Sequence, residues 1–176
     1  MVVNKENRKR TAGKENDFVD HVISVKRVTK VTKGGKRFSF TACVASGNKK
    51  GDIGIGLGKS REVSLAIAKA TSKARKNFIN VCLRASTIPY SVHGKHGAAK
   101  VIIHPASKGT GNIAGGAVRS ILDAVGVEDI LTKSLGSTTC QQNVAKATLN
   151  ALAKLRSADY LAKLRGKTIK EIVKGT

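Results

Sequence analysis

The chain has 176 residues, with 33 Lys and Arg against 11 Asp and Glu, a formal charge of +22 and an isoelectric point near 10.4. A hydrophobic fraction of 40% excludes wholesale disorder, and the length suits one ordinary domain or two small ones. So large an excess of positive charge repels itself in the compact state, and a polyanion whose phosphates meet Lys and Arg offsets it, which makes nucleic acid the leading partner. No uninterrupted apolar run approaches the roughly 20 residues that cross a bilayer. The first residues also lack the apolar run of a secretory leader, so no membrane contact and a cytoplasmic location are expected. Cys43, Cys82 and Cys140 are far apart and form no Cys-x-x-Cys pair, a pattern that suits reduced, mostly buried thiols. Aromatic residues make up 3% and Trp is absent, which argues against reading single strands by stacking bases on rings.

In chain order, residues 1–20 are polar and basic, with Lys5, Arg8, Lys9, Arg10 and Lys14, and show no apolar period; they read as a flexible arm. The β-branched run from Val22 to Val31 and the run Phe38, Phe40, Ala42, Val44 predict two strands joined at Lys33-Gly34-Gly35-Lys36, a tight hairpin whose turn needs positive φ. Its tip carries Lys33, Lys36 and Arg37, with Lys26, Arg27 and Lys30 just before it. Ile53, Ile55 and Leu57 alternate with glycines and predict a third strand with one bare face. Ser60 is then expected to cap a helix from Arg61 to about Phe78. Along that helix Val63, Ile67, Ala70 and Ala74 form the apolar stripe, and Lys69, Lys73 and Lys76 recur on another face.

A second region opens near Val81. The strand Ala99–Ile103 is followed by a glycine-rich stretch, 108–116, that merges into a helix through Val118, Ile121, Leu122 and Val125 and ends at Gly126. Residues 127–135 read as a strand, 143–155 as an Ala- and Leu-rich helix, and 157–176 as a short helical piece with a basic end. The expectation is a two-domain α+β and α/β chain. A three-stranded antiparallel sheet with one helix spans 21–83, a separate α/β sandwich spans 84–165, and a basic tail spans 166–176. Both halves are cationic, +13 for residues 1–82 and +9 for residues 83–176.

Catalytic readings find little support. Gly54-Ile55-Gly56-Leu57-Gly58-Lys59-Ser60 ends like a phosphate-cradling loop, but Ile53 stands where its first Gly is required, and the alternation says strand. Gly109-x-Gly111-x-x-x-Gly115-Gly116 enters a helix and could bind an anion there, or could serve close backbone packing. It does not match the dinucleotide spacing. His93, His96 and Cys82 are a thin metal candidate without a fourth ligand. No cofactor and no metal are expected, and the rival to RNA binding is a phosphate-handling enzyme.

Three blocks then carry a family signature: Lys26 to Phe40 around Lys33-Gly34-Gly35-Lys36-Arg37; Gly54 to Ser60 with Arg61-Glu62-Val63; and Pro105 to Gly111 with Ala114-Gly115-Gly116-Ala117. In this order they resemble the bacterial small-subunit ribosomal protein S-five family, from about His21 to Arg165. The resemblance implies an N-terminal domain like a double-stranded RNA-binding domain and a C-terminal domain of a type shared with some small-molecule kinases. It also implies a structural role in the small subunit, supporting its assembly, binding its rRNA, contacting proteins S-four and S-eight, lining the mRNA entry path and influencing accuracy. By motif, Lys33, Gly34, Gly35, Lys36 and Arg37 would press on rRNA, with Lys59, Arg61, Lys69, Lys73 and Lys76 as further RNA-binding candidates. Arg27 and Lys30 would lie toward the mRNA, and the segment holding Gly109, Gly111, Gly115, Gly116 and Arg119 would face S-four. The family usually reads Gly-Ser-x-Asn-Pro before Asn-Val. This chain has 136–144 as Gly-Ser-Thr-Thr-Cys-Gln-Gln-Asn-Val, without Asn-Pro and one residue longer.

Overall fold

A computed structural model describes residues 18–174. Residues 1–17 of the expected arm lie outside the described residues, but its last three are not arm. Phe18 stacks on Phe78 at 5.2 Å between ring centroids, and Asp20 pairs with Arg75 at 3.1 Å.

The first sheet has the order β1-β2-β3-β4 and is antiparallel throughout, with β1 at Val19–Thr32, β2 at Gly35–Gly47, β3 at Asp52–Ser60 and β4 at Ile79–Asn80. The short β4 makes four strands where three were expected. Helix α1, Val63–Lys76, packs on β2 and β3. It starts later than expected: Ser60 is the last rung of β3, opposite Phe40, so it cannot cap, and Glu62 is the N-cap without a side-chain bond. Alternation then sorts the sheet. Ala42 and Val44 pack with Ala66 and Ala70 on the α1 side, while Ala45 and Ile53 turn to the other side.

The second sheet has the order β5-β6-β8-β7, from β5 (Val92–His96), β6 (Ala99–Pro105), β7 (Asn112–Ile113) and β8 (Ile130–Gly136). Helices α2 (Gly116–Val125) and α3 (Gln141–Leu152) accompany it, followed by α4 (Ala158–Arg165), which Ser157 caps through Tyr160 N–H, and α5 (Ile169–Lys174). Helix α5 therefore occupies what reads in the sequence as a basic tail.

The two units are not separate layers, as the sequence suggested. Ala45 and Ile53 of the first sheet belong to one buried cluster with Val101, Ile103 and Ile130 of the second and with Val118, Ile121 and Leu122 of α2. Helix α2 contacts β1, β2 and β3 as well as α3, which gives a stack of α1, first sheet, helices α2 and α3, second sheet. Backbone bonds tie the units too. The N–H groups of Lys49 and Gly51, in the β2–β3 turn, donate to the carbonyls of Ala124 and Val125 at 3.0 Å each. They satisfy carbonyls at the end of α2 that would otherwise lack partners, and Gly126 closes the helix at φ +93°.

Candidate nucleic-acid interface

The last β2–β3 pair is Phe40 with Ser60, whereas β1–β2 pairing continues to Thr32 with Gly35. Beyond that point β1 and β2 form a two-stranded ribbon that leaves the sheet and extends about 20 Å at roughly 3.3 Å per residue. Of the two tip glycines only Gly35 takes positive φ, +131°, and Thr32 Oγ1 donates to its carbonyl at 3.1 Å.

Register assigns each cation to a face. Arg27 and Lys36 share the α1 side with Thr29 and Phe38, while Lys26, Lys30 and Arg37 lie on the opposite side, with Lys33 at the tip between them. All six of these cations are exposed, and residues 26–39 include no acid. Phe38 is 46% exposed, but the Arg27 guanidinium sits over its ring at 3.7 Å, so that face is already taken by a cation–π contact.

Lys59 and Arg61 are exposed at the root of the ribbon, beside the Phe40–Ser60 rung. Lys69, Lys73 and Lys76 are exposed on α1, which runs back along β3 away from the ribbon. The structure thus brings the ribbon and root residues together and sets the helix lysines apart as a second patch. Part of that patch has a local use, because basic residues in the last turn complement the helix dipole.

The first glycine string holds no phosphate. Gly54, Gly56 and Gly58 lie in β3 facing α1, where a Cβ would overlap the carbonyl oxygens of Ala74, Ala70 and Ala66 respectively. Helix and sheet approach so closely because one surface offers glycines at every second position and the other alanines at every fourth. The string is a packing device, and its N–H and C=O groups belong to the ladder.

The second string works differently. Gly109 and Gly111 adopt φ +91° and +77° with open space around both, and Gly116 is also open, so close backbone packing does not explain them. Their N–H groups donate to Asp129 Oδ1 at 2.9 and 3.1 Å, and Ser86 Oγ donates to Asp129 Oδ2 at 2.8 Å. The anion in this loop is the protein's own carboxylate. The Gly111 N–H, the Ser86 hydroxyl and the Gly109 N–H hold its pKa below the usual carboxylate range despite its burial. Sequence reasoning missed Asp129, which no local motif marks. Gly115 is the N-cap of α2 and Gly116 its first residue, and Arg119 is exposed one turn on, so Gly109, Gly111, Gly115, Gly116 and Arg119 follow one another from the loop into the first turn of the helix.

Among the described residues no cluster of three His, Cys, Asp or Glu side chains could hold a metal ion. All three cysteines are free, and burial pushes the Cys43 thiol up to about 11. No helix among the described residues is long and apolar enough to cross a membrane.

Comparison with known proteins matches both units. Residues 18–82 fit the profile of ribosomal protein S5, N-terminal domain, and residues 94–165 that of ribosomal protein S5, C-terminal domain. Among similar proteins, the small ribosomal subunit protein uS5 of Flavobacterium psychrophilum is 50% identical over 159 residues, 90% of this chain and 91% of the relative. That of Salinibacter ruber is 47% identical over 176 residues, 99% of this chain and all of the relative. That of Francisella tularensis subsp. novicida is 48% identical over 159 residues, 90% and 95% of the two chains. The chain belongs to the bacterial ribosomal protein S5 family, and its role is structural rather than enzymatic.

Proposed function

We propose that the chain is built into the small ribosomal subunit, in the cytoplasm, by binding rRNA chiefly through the β1–β2 ribbon, and that it supports subunit assembly. One observation carries this reading: a projecting ribbon with cations on both faces and at its tip, and no acid between residues 26 and 39. A ribbon of two strands can lie along the wide, shallow minor groove of an RNA helix, and cations on both faces can meet phosphates on either side. Since Arg27 covers the ring of Phe38, recognition rests on backbone and shape rather than on base stacking.

In the same reading Lys33, Gly34, Gly35, Lys36 and Arg37 touch rRNA, Lys59 and Arg61 continue the contact at the root, and Lys69, Lys73 and Lys76 meet a further RNA segment. Arg27 and Lys30 face the mRNA entry path, through which the protein contributes to accuracy. The rim from Gly109 to Arg119 faces protein S-four, and S-eight is a second protein neighbour.

The test replaces Lys33, Lys36 and Arg37 with Gln and measures binding to small-subunit rRNA fragments across a salt series. The slope of log affinity against log salt should fall by about 2–3, close to one for each lost phosphate contact, with an unchanged thermal unfolding curve. An unaltered slope removes the ribbon from the interface.

A further inference from the structure

A cavity of about 490 Å³ opens between the link from β4 to β5 and the helices α4 and α5, a size that suits a small ligand. Arg84, Arg156 and Arg165 line it, and no Asp or Glu does. None of the three arginines makes an ion pair among the described residues. Cations gathered around one hollow repel each other, and an anion between them relieves the repulsion. Local roles account for two of them: Arg165 complements the C-terminal end of α4, and the Arg156 guanidinium lies over the Tyr160 ring at 5.4 Å. Neither role accounts for Arg84.

The backbone sets Arg84 in place at a cost. Arg84 and Thr87 exchange two backbone hydrogen bonds, at 2.8 and 3.1 Å, and Ala85 between them takes φ +52°, a left-handed conformation that residues other than Gly seldom adopt. The turn is anchored from one side, where the Ser86 carbonyl accepts the N–H groups of Glu128 and Asp129 at 2.9 and 3.1 Å and the Ser86 hydroxyl donates to Asp129. Strain held by such anchors is a feature of ligand-binding positions. The other wall is fixed as well. The Tyr90 hydroxyl donates to the Lys154 carbonyl at 3.2 Å and accepts the Arg156 N–H at 2.9 Å, so what Tyr90 offers a ligand is its ring. Pro89 and Leu161 add apolar surface to the same cavity.

We infer that this cavity binds a single nucleotide, with its phosphate on the arginines and its base against Tyr90, Pro89 and Leu161. Guanidinium forks pair with phosphate oxygens two at a time, and an aromatic ring accepts any base because every base has a π-face. The site differs in kind from the ribbon, where Arg27 already covers the ring of Phe38. An acidic peptide would also satisfy the arginines, but carboxylate side chains bring no flat ring to Tyr90. The preference for phosphate over carboxylate rests on the chain being part of the small subunit. The nucleotide is either an unpaired residue of RNA or a free nucleotide, since the chemistry of recognition is the same for both.

The experiment irradiates the full-length protein with 8-azido-ADP and, separately, with a pentanucleotide carrying 4-thiouridine, and maps the labelled residues by mass spectrometry. At least one probe should label the segment 84–92 or α4. Arg84→Gln together with Arg156→Gln should cut that labelling roughly tenfold or more, with an unchanged unfolding temperature. Lys95→Gln with Lys100→Gln, an equal loss of charge at two exposed positions outside the cavity, should leave it intact. No label there, or labelling that survives the arginine pair or falls as far in the lysine pair, overturns the inference. Small subunits carrying the protein with p-benzoylphenylalanine at Tyr160, beside Arg156, then separate the sources: a crosslink to RNA assigns an RNA nucleotide, and none, with the 8-azido-ADP label retained, assigns a free one. A crosslink to an acidic protein segment overturns the inference in favour of a peptide. Failure of the unsubstituted protein to sediment with small subunits overturns the subunit reading instead, and the labelling of the isolated protein still decides this one.

Discussion

The two glycine-rich strings look alike in the sequence and answer opposite physical demands. In Gly54, Gly56 and Gly58 the backbone is ordinary strand and the missing Cβ is what matters, since carbonyl groups of α1 occupy its place. In Gly109 and Gly111 space is ample and the sign of φ is what matters, since a left-handed backbone turns two N–H groups onto Asp129. The first string fixes the helix on the sheet that bears the β1–β2 ribbon. The second wraps a loop around an internal carboxylate. Glycine content alone invites a phosphate in both places, and geometry assigns it to neither.

Substitutions can sharpen this contrast. The largest effect is expected for Gly56→Ala, where the methyl meets backbone rather than a side chain that could swing away. The cost should reach or exceed the roughly 1–3 kcal/mol of ordinary overpacking, read as a lower midpoint in denaturant unfolding. Gly111→Ala should cost about 1–2 kcal/mol from backbone conformation alone, since nothing crowds the new methyl. If it costs as much as Gly56→Ala, the division between space and conformation fails.

Asp129→Asn comes next and is distinguished by its pH dependence. The carboxyl has a lowered pKa in the folded chain, so its charge stabilises the fold above the ordinary value of 3.8. That stabilisation is lost as pH falls through the folded value. The variant should melt below the parent at pH 7, and the gap should close on acidification into that range. A gap that persists unchanged at low pH would show that the charge does not hold the loop. Gly116→Ala, with open space and no positive φ, should change stability by no more than about 0.5 kcal/mol; a large loss would reveal an unrecognised contact at the start of α2.

Much of this was legible where the cause is local. The alternation of Phe38, Phe40, Ala42 and Val44 names the face that meets α1, and Gly126 marks the end of α2. What escaped depends on distant partners. Ser60 has good capping chemistry but is claimed by its pairing with Phe40. Strand β5 shows no apolar alternation, because its inward Gly94 leaves room for the close approach of Ala147 and Ala151 on α3. The cations of the ribbon were evident by type, yet which of them share a face is a matter of register. Asp129 is an unremarkable acid until the chain brings Ser86, Gly109 and Gly111 around it.

The bonds from Lys49 and Gly51 to the end of α2, together with the common apolar cluster, make the family's two domains one thermodynamic body. Calorimetry of the intact chain should accordingly record a single transition. Cutting near residue 83 would strip the covering from Ala45 and Ile53 on one fragment and from α2 on the other. Neither piece is then expected to behave as a soluble module, so the ribbon is held in its place only by a chain whose second half has also been made.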